Sequence, residues 1–218
     1  MGTCTEQKIP KNQIKGENMS GPILTPTFRV SYPNVFKPKL NELSKKEEYS
    51  VVALFKKGED LSVLQKEIER VAADKWGPGS FSKLESGEIR YTPTGKSPFK
   101  IRLPLRDQSE RANEKGLPAG YEAGAKFMNL KSNQRPPLID QKRQDIIDST
   151  AFYAGCYARA AVNAFAYDQA GNKGISLGLQ ALQKVSDGDP LVNKINPQTF
   201  FEAVEEINPQ TDASSLFS

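Results

Sequence analysis

The run GCYARAAVNAFAYDQAGNKGISLGLQALQKV, residues 155–185, constrains the fold more than any other part of the chain. It can be parsed in two ways. The six alanines among its first twenty residues favour a helix, but alanine's advantage is a few tenths of a kcal/mol per residue and burial commonly overrides it. On a helix Tyr157, Arg159, Asn163, Phe165 and Tyr167 would scatter around the cylinder, since neighbours are about 100° apart; on a strand they share one face. The turn cluster DQAGNKG (168–174), followed by Ile175, Leu177, Leu179 and Ala181 alternating with Ser176, Gly178 and Gln180, decides for a hairpin. Cys156, Ala158, Ala160, Val162, Ala164 and Ala166 then form the inward side. Side chains this small suit the tightly curved interior of a small barrel.

The rest of the chain supplies partners for that hairpin. TFRVSYPNVF (27–36) alternates Phe28, Val30 and Tyr32 against Arg29 and Ser31, and EYSVVALFKK (48–57) is a β-branched and aromatic run, so both read as strands with a lysine-rich loop between them. In DLSVLQKEIERVAADKWG the spacing of Leu61, Leu64, Ile68, Val71 and Ala72 predicts a helix, with Asp60 as N-cap and Gly77 as its stop. A Gly-, Pro- and Ser-rich stretch follows, holding a short strand EIRYT. FKIRLPLRD (99–107) alternates Phe99, Ile101, Leu103 and Leu105 against Lys100, Arg102, Pro104 and Arg106, which predicts an edge strand with one basic face. After a polar loop at 107–124 come the strand AKFMNLKS (125–132) and a proline-broken segment, NQRPPLIDQ. A short helix NPQTFFEAVEEI and a polar end close the chain. The expected organisation is a flexible arm at 1–26, one domain at 27–194 and an acidic helix and tail at 195–218.

Several chemistries are excluded or unsupported. The chain has no histidine, which removes histidine-based triads and metal sites. TGKS (94–97) resembles the end of a phosphate-binding loop, but Arg90 stands where the motif needs glycine and Pro98 forbids the following helix. The two carboxylates of SDGDP (186–190) read as a turn. Cys4 and Cys156 read as free thiols, and no metal site or cofactor is expected. No apolar run approaches the roughly 20 residues of a membrane span. The start of the chain lacks a secretory core, and Glu6 occupies the position where a myristoylation signal carries Ser or Thr, so the expected location is inside a cell.

Charge is unevenly placed. Residues 195–218 hold Glu202, Glu205, Glu206 and Asp212 and no Lys or Arg, leaving 30 basic against 22 acidic residues elsewhere, a net +8. Such a polarity suits either an ordinary solvated surface with a polar terminus or a polyanion-binding body whose acidic end competes for the same surface. The hairpin's outward face of Tyr157, Arg159, Asn163, Phe165 and Tyr167 fits that reading. Exposed aromatics stack on unpaired bases while Lys and Arg follow the phosphates. Lys100 and Arg102 add a basic face, Phe127, Lys131 and Arg135 a second mixed set, and Lys173 the hairpin tip. The same aromatic residues would equally serve cross-strand packing, or a structural or adaptor protein that binds a protein partner. An enzyme acting on nucleic acid is a third alternative, which the missing histidine and the lack of an acidic triad disfavour.

FYAGCYARAAVNAFAYDQAGNKGISLGLQALQKVSDGDPL, with RVSYPNVFKP near the start and FMNLKSNQRPPLID in the middle, resembles a family of tailed-phage single-stranded DNA-binding proteins over residues 28–192. The resemblance implies a mainly β, OB-fold-like five-stranded barrel with an inserted helix, long loops and flexible terminal tails. It also implies a non-enzymatic role in phage DNA replication, recombination and repair within the host cytoplasm, with single-stranded DNA as partner, replication proteins recruited through the tail, and a homodimer as a further expectation. Glu205, Glu206, Asp212 and Phe217 are the tail residues that such regulation would use.

Overall fold

Residues 157–169 and 172–186 pair as the long antiparallel hairpin, Ala160 opposite Leu182 and Ala166 opposite Ile175. The computed structural model describes residues 21–42, 45–169 and 171–191. In chain order these hold β1 (Ile23–Leu24), β2 (Phe28–Asn41), β3 (Lys46–Leu54), α1 (Ser62–Trp76), β4 (Gly79–Lys83), β5 (Ile89–Pro93), β6 (Phe99–Lys100), β7 (Arg106–Asp107), β8 (Lys126–Ser132), β9 (Leu138–Ile139), β10 (Tyr157–Gln169) and β11 (Asn172–Ser186).

Five strands close a ring. β2 pairs antiparallel with β3, β3 with β8, β8 runs parallel to β11, β11 pairs with β10, and β10 returns to β2. The seams are unequal. β8 meets β11 at Gly178 opposite Lys131, and β10 meets β2 at Tyr157 opposite Arg29 and Ala158 opposite Phe28. This is the expected OB-like architecture in uneven form, with β2, β3, β8, β10 and β11 as its first to fifth strands. Inward-facing Phe28, Val30, Val51, Ala53, Phe55, Met128, Leu130, Ala158, Ala160 and Val162 fill the interior. Ala158 and Ala160 admit the bulkier Phe28 and Phe55, whose rings meet edge to face at 6.0 Å.

A second layer packs outside the ring. β4, β5 and β6 form a separate antiparallel sheet, and α1 sets Ile68, Val71 and Ala72 against Tyr91, Ile101 and Ile175. Ala164 and Ala166 touch this cluster, so the far half of β10 serves the helix as well as the barrel. The helix begins one residue later than the N-cap assignment: Leu61 holds the cap position, while the Asp60 carboxylate accepts the Ser62 N–H at 2.9 Å. Gly77 ends it at φ 95.

Two expectations require correction. The lysine-rich loop at 37–47 is mainly strand, because β2 runs to Asn41 and β3 starts at Lys46, which extends the hairpin beyond the ring. FKIRLPLRD is broken into β6 and β7. Pro104 supplies no ladder donor there, and Arg102 makes an isolated bridge to Gly174. The polar loop at 107–124 is anchored by buried Gln108, whose amide donates to the carbonyls of Phe55 (2.9 Å) and Lys126 (2.8 Å) while its oxygen accepts the Glu122 N–H (2.7 Å). Among the described residues no helix is long and apolar enough to cross a membrane. The helix expected at 196–207, residues 1–20 of the arm expected at 1–26, and Glu205, Glu206, Asp212 and Phe217 lie outside the described residues, while Ile23 and Leu24 within that arm form β1 opposite Val162 and Ala161 of β10.

Candidate nucleic-acid interface

Strand register assembles the outer face of the ring row by row, because directly opposed residues on antiparallel strands project to the same side. The first row is Tyr157, Arg29, Leu54, Phe127 and Arg106, crossing β10, β2, β3, β8 and β7. A second row holds Ser31, Val52 and Asn129, and a third Asn34, Ser50 and Lys131. The first row is largely covered. Tyr121 and Leu191 pack onto Val52, Leu54 and Phe127, and the guanidiniums of Arg106 and Arg111 lie 5.3 and 4.9 Å from the Phe127 ring centroid. Burial pushes the Tyr121 hydroxyl above its ordinary value, opposed by a hydrogen bond with Ser31. The segment that delivers Leu191 is strapped down: the Leu191 N–H donates to Ala154 at 2.9 Å, and Arg29 donates to the Asp189 carbonyl at 2.8 Å.

The rows beyond are open, and Tyr32 stands at their edge. Alternation places Tyr32 inside with Phe28 and Val30, yet it is 61 % exposed while they are 1 % and 0 % exposed. The cause is a bulge. Ser31 opposes Val52 and Asn34 opposes Ser50, so three steps along β2 match two along β3, and Tyr32 takes φ 45 to absorb the extra residue. A non-glycine residue in the left-handed region costs about 1–2 kcal/mol, and Pro33 adds its own restriction, since residues before proline favour extended backbone. Asn34 braces the site through its amide, which reaches the Tyr32 carbonyl and the Ser50 hydroxyl, each at 3.3 Å.

Positive charge surrounds this face. Arg111 donates to Asn129 at 3.3 Å and has no carboxylate partner among the described residues. Lys131 pairs with Glu48 at 2.7 Å, Arg106 with Glu110 at 2.7 Å and Lys126 with Asp107 at 3.4 Å. Lys37, Lys39, Lys45 and Lys46 are exposed on the protruding β2–β3 hairpin. No cluster of His, Cys, Asp or Glu among the described residues could hold a metal ion.

The residues singled out from sequence separate into three places. Tyr157, Phe127 and Lys131 join the outer face, but Phe127 is 0 % exposed; it is a platform beneath Arg106 and Arg111 rather than an open ring, a correction to its expected place in a solvent-facing set. Arg159, Asn163, Phe165 and Tyr167 continue up β10. Arg159 donates to Gln183 at 2.8 Å, the Tyr167 ring lies against Gly174, the Asn163 Oδ1 is buried without a hydrogen bond, and Phe165 is 49 % exposed. Lys173 reaches the Phe99 ring at 4.6 Å and pairs with Asp168 at 3.1 Å. Arg102 is exposed beside the hairpin, whereas Lys100 faces the smaller sheet and pairs with Glu88 at 3.0 Å. The single basic face expected of Lys100, Arg102 and Arg106 does not form, because the strand carrying it is broken. Arg135 sits apart, over the Phe36 ring at 5.6 Å. Tyr32, Arg111 and Tyr121 were not legible as site residues. Only the dipeptide Tyr32-Pro33 inside a strand hinted at a bulge.

Residues 21–212 match the family model described as the single-stranded DNA-binding protein of Enterobacter phage Enc34. Putative protein p50 of Acyrthosiphon pisum secondary endosymbiont phage 1 is 28 % identical over 183 residues, covering 84 % of this chain and 85 % of that protein. The fold is similar to that of the bacteriophage Enc34 single-stranded DNA-binding protein solved in complex with ssDNA, with TM-score 0.59 and 19 % identity over 78 % of this chain and 89 % of that one. It is also similar to gp2.5, a single-stranded DNA-binding protein encoded by bacteriophage T7, with TM-score 0.51 and 11 % identity over 81 % and 98 % of the two chains.

Proposed function

The chain belongs to the Enc34 single-stranded DNA-binding protein family, and from that premise we propose that it binds single-stranded DNA without catalysis on the outer face of β2, β3 and β8. OB folds bind oligonucleotides on the face of their second and third strands and between the loops joining strands one to two and four to five. Here those are β3, β8, the lysine-bearing β2–β3 hairpin and the β10–β11 turn. The observation that carries the reading is Tyr32, an aromatic ring pushed into solvent by a bulge, which with Arg111, an arginine with no carboxylate partner among the described residues, lies near the Tyr121 hydroxyl. Stacking on such a ring accepts any base, and the surrounding cations supply the salt-dependent part of affinity.

In this reading Tyr32 and Tyr157 stack on bases, Arg111 and Lys131 follow phosphates, and Phe165, Tyr167, Arg102 and Lys173 extend the path along the β10–β11 hairpin. The protein acts in phage DNA replication, recombination and repair inside the host cell. Because Leu191 is pinned beside Phe127 and Tyr121, the acidic residues Glu205, Glu206 and Asp212 follow from a point on the binding face itself, which supports competition between the tail and DNA and recruitment of replication proteins through the same segment. Trp76 packs against Tyr91 and Phe99 on the smaller sheet, at ring separations of 6.2 and 5.5 Å, so labelled oligonucleotides report binding better than its fluorescence. Anisotropy titration of oligo-dT with the full chain and with a chain ending at residue 194, at two salt concentrations, tests the proposal. Binding that weakens with salt and tightens without the tail is expected; no binding at low salt overturns it. Sedimentation of the same samples reads out the homodimer.

A further inference from the structure

Two residues beyond Asn34 in β2 stands Phe36, half-buried against the interior cluster, four residues from Tyr32 and about 13 Å along the strand. Beside Phe36 opens a groove of about 320 Å³, floored by buried Val35 and Leu138, walled by Phe36, Pro137 and Ile147, and lined also by Arg135 and Asp145. Ile147 is 82 % exposed. The Arg135 guanidinium lies 5.6 Å from the Phe36 ring centroid. Asp145 has no cationic partner among the described residues, and its backbone bridges to Ile139.

We propose that this groove takes one base of the bound strand and selects guanine, an inference that rests on the single-stranded DNA reading. Flat apolar walls and a guanidinium plane suit the face of a base. Charge then orients the nucleotide. A carboxylate repels phosphate, so the sugar-phosphate backbone passes on the Arg135 side and the edge of the base turns toward Asp145. An ionised carboxylate accepts hydrogen bonds and donates none. Guanine offers it two adjacent donors, N1–H and the N2 amino group, in a bidentate arrangement. Thymine offers one N–H between two carbonyl oxygens, which a carboxylate opposes. The groove thus adds a base preference to a face whose stacking at Tyr32 has none.

The test compares all-dT oligonucleotides with dT tracts carrying a single dG, titrated against the full chain and against Asp145→Asn. The single dG is expected to tighten binding by about three- to tenfold, within the range of a partly exposed bidentate base contact, and Asp145→Asn is expected to bring the two affinities together. Phe36→Leu, which keeps an apolar side chain and removes the ring, should do the same; should that variant not fold, Asp145→Asn on the surface decides alone. Equal binding of both oligonucleotides by the unaltered chain overturns the subsite while leaving single-stranded DNA binding intact. A preference that survives Asp145→Asn overturns the role of the carboxylate. Failure to bind either oligonucleotide overturns the functional reading and the subsite with it.

Discussion

Replacing Tyr32 by glycine and, separately, by alanine tests the bulge and its use together. Both variants remove the same ring, so packing lost with the partly covered side chain cancels between them. They differ in the backbone. Alanine retains the cost of about 1–2 kcal/mol for an L-residue at φ 45, whereas glycine relieves it and adds an unfolded-state entropy penalty of roughly 0.5–1 kcal/mol. Tyr32→Gly should therefore be more stable than Tyr32→Ala by about 0.5–1 kcal/mol. In an ordinary strand the order is the reverse, so the sign itself is diagnostic. DNA binding should not follow stability. Loss of one stacking platform costs about 1–3 kcal/mol per base, which weakens oligo-dT binding by roughly 5- to 150-fold in both variants. Urea unfolding measures the first quantity and oligo-dT anisotropy the second. Glycine proving less stable than alanine would refute the left-handed backbone at this position, and unchanged oligo-dT affinity would refute stacking on Tyr32.

Other perturbations address the frame and its charges. Gly155 sits at φ 118 with the Asp189 carbonyl directly against it, so Gly155→Ala combines strain with a backbone collision and should destabilise by about 3 kcal/mol or more in thermal or urea unfolding. Gln108→Leu removes the amide from the Phe55 carbonyl and the acceptor from the Glu122 N–H, while the Lys126 carbonyl keeps the Phe55 N–H, for a loss of about 2–4 kcal/mol seen in the same assay. Arg111→Ala should flatten the slope of log affinity against log salt by about 0.7, the value for one phosphate contact on a single strand; an unchanged slope removes Arg111 from the path. The backbone N–H of Ser109, with its hydroxyl and Lys126, holds the Asp107 carboxyl below its ordinary value. A depressed folded pKa gives stability that is present above the unfolded pKa and lost as pH falls through the folded one. The gap in stability between the native chain and Asp107→Asn should accordingly close on acidification, and a gap that widens instead would contradict the assignment.

The parts of the fold governed by period were legible in the sequence. Alternation in 155–185 outweighed the helix propensity of its alanines because small residues every second position match the inside of a curved strand, and Ala158, Ala160 and Val162 are buried there. The spacing of Leu64, Ile68, Val71 and Ala72 located the helix for the same reason. Where a single residue breaks the period, alternation misleads. Tyr32 was assigned to the core side, and the extra residue in β2 turned it to solvent; Lys100, Arg102 and Arg106 shared a face only as long as Pro104 was read within an unbroken strand.

Composition and pattern alone thus determined the strands of a mainly β chain with small residues on the inward side of one hairpin, an excess of basic residues outside its C-terminal segment and the lack of histidine chemistry, whereas the five-stranded barrel was implied by the family resemblance. Local rules suffice there, since each strand's inward and outward sides follow from its own residues. Which outward sides become one surface was decided by tertiary structure. β10 pairs with β2 at Tyr157 and Ala158, Phe127 is roofed by Arg106 of β7 and by Arg111 of the loop that Gln108 ties down, and Asn34 bonds both the Tyr32 carbonyl and the Ser50 hydroxyl beside a bulge. These are pairings between residues distant in the chain, set by ring closure and register, and no periodicity within a single segment encodes them.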